Sequence, residues 1–118
     1  MNIYKKFFFA YLVLILMVSS IPGNSIPKNW FSLGWEDKLY HMIEFSVLGI
    51  LAYLAYYQEL RNPFIYFIAG GFLFGLVDEL YQSFIPGRFP NAFDIIADGI
   101  GVICGSISTH FLRKKVHD

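Results

Sequence analysis

The chain has 118 residues, enough for one domain and too few for a separate soluble module. Hydrophobic residues make up 56% of it and charged residues 15%, whereas roughly half or less is apolar in a soluble domain, so the composition points to a membrane. Net charge is zero, from 9 basic and 9 acidic residues, and no basic stripe marks a nucleic-acid surface, so no nucleic-acid partner is expected. Cys104 is the single cysteine, which excludes an intrachain disulfide; its apolar neighbours point to an ordinary packed thiol.

Phe7 to Ile21 is a continuous apolar run behind Lys5 and Lys6. A secretory signal peptide has this charge and length, and Ser19 and Ser20 are small. No Ala-x-Ala site follows, Pro22 and Pro27 suit a helix exit equally well, and more apolar segments come after. An uncleaved first helix over about 6–22 is therefore expected. Residues 22–36 are rich in Pro, Gly, Ser and Asn and contain Trp30, Phe31 and Trp35, aromatics of the kind that sit at the membrane–water boundary.

A second helix is expected over about 38–57, ended by Glu59, Arg61, Asn62 and Pro63. A third, over about 64–85, ends at Ile85-Pro86-Gly87-Arg88. A fourth, over about 92–112, closes on Arg113, Lys114 and Lys115. Each segment is near the ~20 residues needed to cross a hydrocarbon core of roughly 30 Å. The expected fold class is all-α: a polytopic membrane bundle of about four transmembrane helices, one domain over residues 1–118, with short connections that make neighbours antiparallel. Gly71 and Gly75, and Gly101 and Gly105, are spaced four apart, which lets helix backbones approach closely in lipid.

Lys and Arg counts set the expected orientation. With the N-terminus in the cytoplasm, Lys5, Lys6, Arg61, Arg113, Lys114 and Lys115 lie inside, and Lys28, Lys38 and Arg88 outside. A multi-pass plasma-membrane protein with both termini cytoplasmic is the expectation.

Ionisable side chains are expensive in a bilayer, at least ~2.5 kcal/mol each at its centre, so they need a reason. Asp37, His41 and Glu44 are spaced i, i+4, i+7 and share a face of the second helix. Asp78 and Gln82 share a face near the end of the third helix, and Glu79 points about 100° away. Arg88 follows in the turn. Asp94 and Asp98 open the fourth helix, with Gly101 and Gly105 on the same stripe. The start of helix two, the end of helix three and the start of helix four lie on one side, extracytoplasmic by the charge count. Their polar faces are expected to converge in a pocket open to the outer leaflet, with nothing of the kind at the opposite ends and no part taken by the first helix.

Asp37, Glu44, Asp78, Glu79, Asp94 and Asp98 cannot all be ionised and dry together. Arg88, Lys38 and a protonated His41 can neutralise some. A divalent cation, Mg²⁺ or Ca²⁺, suits several hard oxygens, with Asp78, Glu79, Asp94 and Asp98 as candidate ligands. Retained protons can account for the rest. Bland readings stand beside these: Asp37 favouring the helix dipole, His41 as an interhelical hydrogen-bonding group, Asp94 as the cap of helix four, and Asp78, Glu79 and Arg88 as a structural ion-pair network.

At these residues the chain resembles the VanZ-like family. The matching blocks are Asp37-Lys38-x-x-His41-x-x-Glu44-Phe45, then Asp78-Glu79-x-x-Gln82-x-Phe84-x-Pro86-x-Arg88, then Asp94 with Gly101 and Gly105. The resemblance covers about residues 35–108. Members often carry asparagine where Asp98 stands, so this chain has an extra carboxylate. The resemblance implies a multi-helix bacterial inner-membrane protein of the cell envelope, in a family whose founding member is associated with glycopeptide (teicoplanin-type) resistance.

Three functions follow as expectations, beside a fourth in which the chain is an assembly subunit whose polar cluster only locks the bundle. The first is binding of an amphiphile or lipid-linked headgroup by Asp37, Lys38, His41, Glu44, Asp78, Glu79, Gln82, Arg88, Asp94 and Asp98. The second is a metal-assisted enzyme on a phospholipid or glycolipid, with His41, Glu44 and Asp78 as candidate catalytic groups. No nucleophile or known hydrolase motif accompanies them. The third is a proton-coupled transporter, which four helices would serve only as a homo-oligomer.

Overall fold

Asn2 starts the first helix by accepting the backbone N–H of Lys5 on its side-chain oxygen at 2.9 Å. The computed structural model describes residues 2–23 and 36–117; Lys28, Trp30, Phe31 and Trp35, singled out above, lie outside them. Within the described residues the chain is four helices: α1 (Ile3–Ser19), α2 (Glu36–Tyr56), α3 (Pro63–Gln82) and α4 (Ala92–His117). α2, α3 and α4 are long and apolar enough to cross a membrane. The 17 residues of α1 rise about 26 Å, slightly less than a typical hydrocarbon core.

Two helix ends differ from the sequence expectation. α3 stops at Gln82 because Pro86 cannot donate to a helix and biases Ile85 away from one. The chain turns instead, with Ile85 N–H to the Gln82 carbonyl at 3.0 Å and Arg88 N–H to the Ile85 carbonyl at 3.2 Å. Gly87 sits at φ 76°, a left-handed conformation that costs glycine little. α4 continues past Leu112, where basic residues suit the negative end of the helix dipole.

α2 and α4 form the centre, α3 packs on α4, and α1 lies mainly against α2. His41 meets Asp98 and Tyr53 meets His110, each pair 57 residues apart. A constant difference in number, held over about three turns along the bundle, means that α2 and α4 run parallel in fixed register. Glycines allow their close approach: a Cβ at Gly105 would run into the Ser46 carbonyl, and one at Gly49 into the Val102 carbonyl. Phe45, Leu48, Tyr53, Phe67, Val102 and Ile15 of α1 are buried together at the core. Large apolar side chains such as Ile65, Leu73, Leu80 and Phe111 are exposed, as a bundle immersed in acyl chains allows. Cys104 is among the exposed residues, so the packed-thiol expectation is corrected. One residue before Gly105, it points about 100° away from the stripe that faces α2.

Candidate functional site

The site is built in layers from the acidic end of the bundle inward. Outermost is Lys38, whose Nζ lies 2.7 Å from Asp94 Oδ1 and 3.2 Å from Asp37 Oδ2, so one cation bridges α2 and α4. Its side chain is about one-third exposed, as is that of Asp37, whereas Asp94 is buried. Asp94 does not cap α4. Asn91 does: its side-chain oxygen accepts the Phe93 N–H at 2.8 Å. An Asn immediately before a helical run was the available signal.

His41 occupies the next layer, 4% exposed. Its Nε2 lies 3.8 Å from Asp37 Oδ1 and 3.7 Å from Asp94 Oδ2. Its Nδ1 is 2.8 Å from Asp98 Oδ1, the closest of its carboxylate contacts. One proton lies in this contact, shared between an imidazole nitrogen and a carboxyl oxygen.

The third layer comes from α3, whose last two turns split their acids between neighbours. Asp78 turns to α1, accepting from Ser19 Oγ and, at 3.1 Å, from the Gln82 amide. Glu79 turns to α4, where its Oε2 accepts the Asn91 N–H at 2.9 Å. The 100° between adjacent helical residues places the two acids on different partners, as the spacing implied.

The convergence expected of Asp37, Lys38, His41, Asp78, Glu79, Gln82, Asp94 and Asp98 has this geometry. The side chains are closely packed: His41, Asp78, Glu79, Gln82, Asp94 and Asp98 are all buried, and only Asp37 and Lys38 reach the surface. Glu44 separates from the rest. It is half-buried toward α1, accepting from Tyr40 at 2.8 Å on its carboxylate while its backbone carbonyl accepts from Tyr11 at 2.7 Å. A cavity of about 220 Å³ opens there, walled by Leu14, Ile15, Val18 and Ile43 and ending at Tyr11, Tyr40 and Glu44. His41 and Glu44, two of the candidate catalytic groups, therefore take different partners.

Arg88 also differs from expectation. It serves the end of α1, donating Nε to the Ile21 carbonyl at 2.8 Å and a terminal nitrogen to the Val18 carbonyl at 2.9 Å. Helix ends leave carbonyls without intrahelical partners, and a guanidinium satisfies two at once. Among the described residues Arg88 makes no ion pair with an acid. α1, which the sequence left out, joins the site through Ser19, Tyr11 and this clamp. No charge in α1 announced it.

Among the described residues, donor atoms that could hold a metal ion fall into two groups, each within 4.8 Å: His41, Asp78, Glu79 and Asp98, all buried, and Asp37, His41 and Asp94 nearer the surface. His41 thus enters the candidate metal set, and Asp94 is engaged by Lys38.

The opposite end is not featureless. A cavity of about 620 Å³ there is bordered by Tyr53, Tyr57, Glu59, His110, Arg113 and Lys114. Polar groups therefore gather at both ends: Asn2 and Tyr4 at the start of α1, Tyr53, Tyr57 and Glu59 at and after the end of α2, and His110, Arg113 and Lys114 of α4.

Three membrane-length apolar helices around buried carboxylates define a small polytopic membrane protein. Residues 5–113 match the family model described as VanZ/LLP1, and the chain belongs to that family. No curated protein and no solved structure matches the chain.

Proposed function

We propose that this VanZ/LLP1 protein binds an amphiphile at the outer leaflet of the plasma membrane, with both termini cytoplasmic. The amphiphile's chain lies between α1 and α2 and its headgroup is at the acidic end. The observation that carries this reading is the cavity ending at Glu44. Its walls, Leu14, Ile15, Val18 and Ile43, are aliphatic, and Leu14 and Ile43 are exposed on its rim, so an acyl chain can enter sideways from lipid. Its inner end offers a carboxylate and two phenols, which recognise an amine or sugar hydroxyl. Lys38 and Asp37 at the surface add one charge of each sign for the distal part of a headgroup. The buried acids are too closely packed to touch such a ligand directly; they hold α2 and α4 in place behind it. A role in envelope maintenance or glycopeptide sensitivity would follow from retention of a lipid-linked species.

Native mass spectrometry of the purified full chain, released from membranes in mild detergent, tests this. Wild-type protein should carry an amphiphile with an amine or sugar headgroup. Ile43→Trp, which fills the groove, and Glu44→Gln, which removes the charge, should each reduce its occupancy at least about tenfold, the loss expected when one charged hydrogen bond of about 1.5–3 kcal/mol is removed. A bare wild-type protein, or equal retention by both variants, would overturn the reading.

A further inference from the structure

Three buried acids are each gripped by outer groups in a way that leaves acceptor capacity pointing inward. Glu79 accepts the Asn91 N–H on Oε2, and its Oε1 has no hydrogen-bond partner among the described residues. Asp98 meets His41 through Oδ1, and its Oδ2 likewise has no partner. Asp78 receives Ser19 on one oxygen and Gln82 on the other, which uses one lone pair of each. Exposure is 4% for Glu79 and 0% for Asp78 and Asp98, so water does not compensate from bulk. Leaving a charged acceptor unsatisfied in such a place is costly. Asp94 Oδ1 is a different case, because Lys38 Nζ stands 2.7 Å away.

We propose that His41, Asp78, Glu79 and Asp98 bind one divalent transition-metal ion between α2, α3 and α4. Charge favours it. Lys38 answers the outer pair Asp37 and Asp94, while among the described residues the inner three carboxylates have one direct ion-pair contact, Asp98 with the His41 ring, and Arg88 acts on Asp78 only from a distance. Spacing favours it as well. Ligands on opposite sides of an ion stand about 4.0–4.4 Å apart for bonds of roughly 2.0–2.2 Å. The four donor atoms lie within 4.8 Å of one another, so a contraction of a few tenths of an ångström closes the shell. The 2.8 Å between His41 Nδ1 and Asp98 Oδ1 is close to the about 3 Å that separates adjacent ligands on such an ion.

The surroundings fit a ligand shell. Ser19, Gln82 and Asn91 each fix a carboxylate from outside, the role that outer hydrogen-bond donors play around bound metals. α3 has glycine where Asp98 arrives: a Cβ on Gly75 would stand 3.0 Å from Asp98 Oδ2. The donor set also narrows the ion. One imidazole with three carboxylates suits Mn²⁺, Fe²⁺ or Zn²⁺ better than the Mg²⁺ or Ca²⁺ that oxygens alone would favour. This inference is independent of the amphiphile reading, since Leu14, Ile43 and Glu44 take no part in it.

The test uses the full chain purified in detergent without chelator, with metal content measured by inductively coupled plasma mass spectrometry. After chelation, Mn²⁺, Zn²⁺ and Mg²⁺ are each added back while thermal unfolding is followed. The expected result is about one Mn²⁺, Fe²⁺ or Zn²⁺ per chain, a Tm lowered by several degrees in chelator, and recovery with Mn²⁺ or Zn²⁺ but not with Mg²⁺. Glu79→Gln and Asp98→Asn should each weaken binding at least tenfold, while the Tm of Glu79→Gln in chelator equals or exceeds that of wild type, because it removes a buried charge and keeps an oxygen for the Asn91 N–H. Substoichiometric metal with a chelator-insensitive Tm would overturn the proposal. So would metal held equally by both variants, or a Glu79→Gln variant less stable than wild type in chelator, the pattern of a purely structural network.

Discussion

Each end of this bundle carries a histidine that ties α2 to α4 in the same parallel register, and the two surroundings are opposite. His41 sits among Asp37, Asp94 and Asp98. His110 sits among rings, with centroids of Tyr57, Phe64 and Tyr53 at 5.3, 5.5 and 5.8 Å, and its Nδ1 2.9 Å from the Tyr53 hydroxyl. An aromatic cage asks the imidazole for one hydrogen bond and packing. A ring of carboxylates asks it for charge. The same residue at matched positions is therefore a packing element at one end and an electrostatic keystone at the other.

The largest effect that can break this comparison is substitution of the two histidines by phenylalanine. His41→Phe removes the group facing Asp98 Oδ1 and leaves buried acids without a counter-group, a loss of about 3–5 kcal/mol. His110→Phe keeps the ring contacts and forfeits one hydrogen bond, about 0.5–1.5 kcal/mol. Unfolding of both variants in detergent, followed by helical circular dichroism, measures the difference. Equal losses would mean that the carboxylates around His41 are not what distinguishes the two ends.

Arg88 sharpens the comparison from the side of α1. It donates to the carbonyls of Val18 and Ile21, and Ser19 between them donates to Asp78, so one clamp holds α1 against the acidic end. Arg88→Gln should cost about 1.5–3 kcal/mol, the worth of charge-assisted hydrogen bonds. Hydrogen exchange should speed up at the amides of residues 18–21 and leave the centre of α4 unchanged. Arg88→Lys should rescue only partly, because an ammonium lacks the fork that reaches two carbonyls. Acceleration spread evenly over all four helices would show that the arginine supports the bundle generally and not the α1 junction.

These effects separate what the sequence made legible from what it did not. The helices were legible because apolar runs of membrane length end at Pro, Gly and charge clusters, such as Arg61-Asn62-Pro63 and Ile85-Pro86-Gly87. The meeting of Asp37, His41, Asp78, Glu79, Asp94 and Asp98 was legible because ionisable groups inside apolar segments must find one another. The role of Arg88 was not, since charge alone suggests a carboxylate partner and only the fold shows that the end of α1 is nearer. Ser19 was hidden for a related reason: a hydroxyl in an apolar run is common, and its pairing with Asp78 spans 59 residues. Gly49 looked like an ordinary residue of α2 until the parallel register placed it against the Val102 carbonyl.

The smallest expected effect isolates burial as the cause of the contrast between the ends. Lys5 and Glu59 form an ion pair of 2.7 Å at the aromatic end, the same length as Lys38 and Asp94 at the acidic end. Distance therefore cannot rank them. Glu59 is half exposed, whereas the Asp94 side chain is 4% exposed. Water solvates Glu59 once Lys5 is gone, and Lys5 also rests 5.2 Å from the Tyr56 ring centre, so part of its contact is not ionic. Lys5→Gln should cost under about 0.5 kcal/mol, and the difference should fade at roughly 1 M salt, where screening acts within about 3 Å. Lys38→Gln should cost about 1–3 kcal/mol, because Asp94 is left without its cation where water is scarce, and salt should change that little. Matched losses for the two lysines would show that pair geometry, not burial, sets the value of charge in this bundle.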